Sequence, residues 1–109
     1  MENVGAITVN DLYIFKDKVK KSTRAGIVTL VTHELCHMWF GDLVTMDWWN
    51  DLWLNESFAD WLSFYSAQHL ELSFDEFDFM SNFNDRKAWG YSTDMSNASH
   101  PIAGEVVDT

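Results

Sequence analysis

The chain has 109 residues, enough for one domain or a piece of one. Its composition is 47% hydrophobic and 16% aromatic, far too apolar for a disordered chain. A formal charge of −10 excludes nucleic acid as an expected partner, because phosphate binding needs a basic face.

Residues 5–15, GAITVNDLYIF, are rich in β-branched and aromatic side chains and read as a short extended segment, with Asn10-Asp11 as a turn. The loop that follows gathers Lys16, Lys18, Lys20, Lys21 and Arg24. Ser22 or Thr23 is placed to cap a helix over 22–41, stopped by Gly41. Ile27, Leu30, Val31 and Leu35 give it core-facing candidates. Residues 42–53 read as a packed connection, and a second helix, starting near Asp51–Asn55, is expected over 51–70. Ser73-Phe74-Asp75-Glu76 has the Ser-x-x-Glu form of a capping box and opens a third helix over 73–90. Residues 91–109 are polar and read as loop.

Six Trp and eight Phe are many large side chains for a short chain, since small domains bury a smaller share of their surface. Part of this aromatic surface is expected to face other domains of a longer parent. No apolar run reaches transmembrane length, and the N-terminus lacks the apolar core of a signal peptide. A cytoplasmic setting follows unless a targeting segment lies outside these residues. The single cysteine, Cys36, has no intrachain disulfide partner.

The chemistry concentrates in His33-Glu34-Leu35-Cys36-His37. Residues i and i+4 of a helix share a face, so His33 and His37 present two imidazole nitrogens to one ion. A catalytic zinc takes three protein ligands and keeps one place open. An antiparallel second helix would bring Glu56, in its first turn, alongside the histidines as the third. Glu34 projects about 100° around the helix from His33 and is placed as a general base for the attacking water. Asp60, one turn beyond Glu56, is a candidate acceptor for the second N–H of a ligand histidine. One Zn2+ per chain is the cofactor this pattern implies. His69 and His100 lack a partner at ligand spacing, and no Gly-x-Ser-x-Gly supports serine-hydrolase chemistry.

HELCHMWFGDLVTMDWWNDLWLNESFAD resembles the signature of the M1 family of zinc aminopeptidases, in which HExxH is followed after eighteen residues by Glu, here Glu56. The flanking WFGDLVTM, WW and DLWLNE resemble the aminopeptidase N and puromycin-sensitive branch. The resemblance implies a partial thermolysin-like (zincin) catalytic domain of α+β class, predominantly helical, with about three helices. It also implies removal of N-terminal residues from peptides that carry a free amine.

Met1-Glu2-Asn3 resembles the end of the family's Gly-Ala-Met-Glu-Asn motif. By that resemblance Glu2 binds the substrate α-amine and Met1 contributes to the pocket for the first side chain. The family's oxyanion tyrosine lies beyond the segment matched by Ser99-His100-Pro101; Tyr13, Tyr65 and Tyr91 do not match it. The parent's N- and C-terminal domains are expected partners. A zinc-binding core without turnover, a thermolysin-type endopeptidase and a dimerising aromatic module are the rival readings.

Overall fold

The computed structural model describes residues 1–70 and 77–107. Three helices dominate: α1 over Lys21–His37, α2 over Leu52–His69 and α3 over Phe79–Asp94. No strand forms among the described residues, so the expected extended segment is corrected. Residues 1–8 close instead into a small loop. Met1 and Thr8 exchange backbone N–H···O bonds, and Ala6 N–H donates to the Asn3 carbonyl across a turn in which Gly5 has φ 70°. The side chain of Asn10 then accepts from Leu12 N–H at 2.9 Å and starts a 3-10 turn over Asp11–Tyr13. This side-chain bond competes with a ladder, and the described residues provide no second strand to pair with the segment.

Helix α1 begins at Lys21, with Lys20 in extended conformation and no side-chain cap. Ser22 and Thr23 therefore lie inside its first turn rather than capping it. The helix ends at His37, four residues before the expected stop. Phe40 N–H and Trp39 N–H both fold back on the Cys36 carbonyl, and Asp42 N–H bonds the His37 carbonyl. The chain then turns at Gly41, whose φ of 131° is one that L side chains rarely adopt. A single bridge joins Phe40 to Val44.

The α1–α2 pairing runs in reverse register. His37 lies against Glu56, His33 against Asp60, and Thr32 Oγ1 donates to the Ser63 carbonyl at 3.3 Å. The two helices are therefore antiparallel. Ala59, Ser63 and Ala67 are all buried and repeat every four residues, forming a ridge of small side chains that lets α1 approach closely. Ala25, Phe64, Ala67 and Phe79 form the core, with Val28, Phe77, Met80 and Phe83 packed on it. The α1 face against α2 is thus Ala25, Val28, Thr32 and His37. Val31 and Leu35 are exposed and Ile27 and Leu30 only half-buried, so the apolar stripe expected from spacing faces away from this core.

Asp78 caps α3, its carboxylate accepting from Ser81 N–H at 2.9 Å, and Phe79 N–H is taken by the Gln68 side chain. The capping box expected at Ser73–Glu76 lies outside the described residues. Gly90 falls inside α3 rather than ending it: its cost of about 1 kcal/mol does not outweigh continued helix bonding, and Met95 N–H still bonds the Tyr91 carbonyl. The radius of gyration is 15.7 Å, against about 13 Å for a compact chain of this length. Trp39, Trp49 and Trp89 stand exposed, Trp89 at 70%. No described helix is long and apolar enough to cross a membrane.

Candidate metal centre

Burial marks the site first. Among the described residues the buried polar side chains are Glu34, His37 and Ser63; two of the three belong to the HExxH run. A buried ionisable group is costly unless it is paired, and His37 is only 2% exposed.

His37 is oriented by its own helix end. Its Nδ1 lies 2.9 Å from the Phe40 carbonyl oxygen. A carbonyl can only accept, so Nδ1 carries a proton and Nε2 points the other way. Phe40 is held in turn by stacking on Phe58 of α2, with centroids 5.1 Å apart. The loop packs closely here: a Cβ at Gly41 would meet His37 Nδ1, the His37 carbonyl and Asn55 Nδ2, each at 3.4 Å.

Three donor atoms converge in front of His37. The Nε2 atoms of His33 and His37 are 3.0 Å apart, and Glu56 Oε2 lies 3.4 Å from the first and 3.6 Å from the second. Three lone-pair donors this close repel one another unless a cation or shared protons stand among them. Bonds of 2.0–2.1 Å to a tetrahedral zinc place neighbouring ligands about 3.3–3.4 Å apart. The three separations bracket that value, so the residues fit the ion. Among the described residues they are the group able to hold one. Half of the Glu56 side chain, 53%, stays exposed, which leaves the donor set open on one side.

Glu34 sits beside this group without joining it. Its Oε2 lies 2.9 Å from the Met1 amino nitrogen, so the loop of residues 1–8 rests against the α1 motif. Glu2 is half-buried on that loop, and its carboxylate makes no ion pair among the described residues. Asp60 Oδ1 lies 3.9 Å from His33 Nδ1, facing the ring nitrogen opposite the donor set. Its second oxygen is bound by Arg86 Nε of α3 at 2.9 Å. A cleft of about 620 Å³ opens beside these residues, walled by Tyr13, Phe15, His33, Glu34, Asp60 and Arg86, among others. His69 and His100 bond nearby backbone carbonyls instead. Arg86 and the Phe40 carbonyl went unnoticed in the sequence. A lone arginine on a third helix has no spacing signal, and a backbone oxygen has no signature at all.

The motif lies within a wider likeness. The model of the Peptidase family M1 domain matches residues 1–109. Aminopeptidase N of Streptomyces lividans is 43% identical over 108 residues, covering 99% of this chain and 13% of that protein. Endoplasmic reticulum aminopeptidase 1 of Mus musculus is 44% identical over 110 residues, or 97% of this chain and 11% of the relative. Aminopeptidase M1 of Arabidopsis thaliana is 41% identical, over 97% of the chain and 12% of its own length. The chain thus spans about an eighth or less of these relatives. With its metal-donor motif, its flanking sequence and its whole length matching in concert, the chain belongs to peptidase family M1.

Proposed function

We propose that this chain is the zinc-binding core of an aminopeptidase with a thermolysin-like arrangement of its metal helices. The observation that carries the reading is the convergence of His33, His37 and Glu56 at separations suited to one tetrahedral ion. A zinc ion held there supplies Lewis acidity to water and to a peptide carbonyl alike.

The remaining roles belong to the chain's own groups. Glu34, off the donor set but on the same helix, takes the proton of the attacking water and passes it to the leaving nitrogen. Glu2 binds the substrate α-ammonium as a charge-assisted pair and sets the first peptide bond over the site. Met1 contributes to the pocket for the first side chain. Asp60 faces His33 Nδ1 and favours the tautomer that leaves His33 Nε2 free for the ion.

The test is elemental analysis of the purified chain beside turnover of an alanyl reporter. One zinc per chain, lost in His37→Ala, is expected. Glu34→Gln should keep the zinc and abolish any turnover. Absence of zinc from the unaltered chain would overturn the reading.

A further inference from the structure

Arg86 joins the third helix to the metal helices through a single carboxylate. Asp60 divides its two oxygens: Oδ2 takes the Arg86 Nε–H at 2.9 Å, and Oδ1 faces His33 Nδ1 at 3.9 Å. The Arg86 side chain is 56% exposed, and an exposed ion pair contributes little to stability. Its consequence lies in direction. A free aspartate on a helix samples several rotamers, most of which turn Oδ1 away from His33. A guanidinium nitrogen 2.9 Å from Oδ2 favours one of them. Arg86 lines the cleft that contains Glu34 and also the one that contains Glu56 and Trp89.

We propose that Arg86 is a positioning residue for the metal centre, holding Asp60 against His33 so that α3 sets the affinity of the ion site. The proposal rests on the reading of His33, His37 and Glu56 as zinc ligands. Partners of this kind typically change metal affinity 10–100-fold when removed. Asp60→Asn, of equal shape, should weaken zinc binding about that much. Arg86→Met keeps the apolar stem and removes the guanidinium; it should weaken binding roughly 3–10-fold, since Asp60 remains but is no longer held.

The experiment is competition for zinc between the 109-residue chain and a chromophoric chelator, for the parent, both single variants and the double variant. Melting of each metal-free chain is followed by circular dichroism. Arg86→Met is expected to lower affinity in the parent background and to have no further effect beside Asp60→Asn, because the two act through one contact. Metal-free melting should be unchanged in Arg86→Met. Equal affinity of Arg86→Met and parent would overturn the proposal. So would an Arg86→Met loss that persists undiminished beside Asp60→Asn. Failure of the parent to bind zinc would sink the metal-centre reading itself and this proposal with it, whereas normal zinc binding with an inert Arg86 sinks this proposal alone.

Discussion

Glycine to alanine should act with opposite sign at two positions of this chain. Gly41 sits at φ 131°, where the turn after α1 brings the Phe40 carbonyl onto His37. The three neighbours of a new Cβ there lie at 3.4 Å, ordinary van der Waals contact, so collision contributes little. Backbone strain dominates, and a residue forced into a sparsely populated region costs about 1–3 kcal/mol. Gly26 lies inside α1, and a methyl added to its Cα would meet nothing within 4 Å. There alanine restricts the unfolded chain and favours the helix, a gain of roughly 0.4–1 kcal/mol. Urea unfolding followed at 222 nm separates the two. With a slope of about 1–3 kcal/mol per molar, Gly41→Ala should lower the midpoint by about 1 M and Gly26→Ala should raise it by a few tenths. The strained loop also orients His37, so Gly41→Ala should weaken zinc binding while Gly26→Ala leaves it unchanged. Midpoints that move in the same direction would refute the strain argument.

Among the described residues Phe79 is the largest fully buried side chain, and it bridges α3 to the core. Phe79→Ala should cost about 3–5 kcal/mol, a large part of the 5–15 kcal/mol typical of a domain, and should abolish a cooperative urea transition or move it sharply down. Burial raises the Cys36 thiol above its ordinary pKa. The folded chain therefore holds that proton longer than the unfolded chain, and the stability this lends is lost as pH rises through the raised value. Iodoacetamide at pH 8 should modify the folded chain more slowly than the urea-unfolded chain, and equal rates would contradict the burial. Zinc bound only by the folded state should raise the melting temperature in proportion to RT ln(1 + [Zn]/Kd); a melting curve indifferent to chelator would count against a metal-linked fold.

Much of the site was legible before any coordinates. The i, i+4 spacing of His33 and His37 places them on one face whatever surrounds the helix, and Glu34 must then point elsewhere. Glu56 needed only an antiparallel return of α2, for which eighteen intervening residues suffice. The α1 face was misread because apolar spacing reports which residues are alike, not which neighbour they meet. Ile27, Leu30, Val31 and Leu35 satisfy the helical period, yet α2 packs on Ala25, Val28 and Thr32. Its Ala59-Ser63-Ala67 ridge favours close approach over bulk.

The extended reading of residues 5–15 followed β-propensity, which describes a fit to a sheet, and no sheet forms among the described residues. Helix ends were set by local bonds as small as Asp78 to Ser81. By itself, then, the sequence determined the helical HExxH motif, the residue types of the candidate donors and the family, because these rest on chemistry at fixed spacing along one chain. Only the tertiary structure decided the donor separations, the Phe40 carbonyl on His37 and the Arg86–Asp60–His33 line. Those contacts join residues from different helices or a loop, and no periodicity along the chain encodes where separate elements meet.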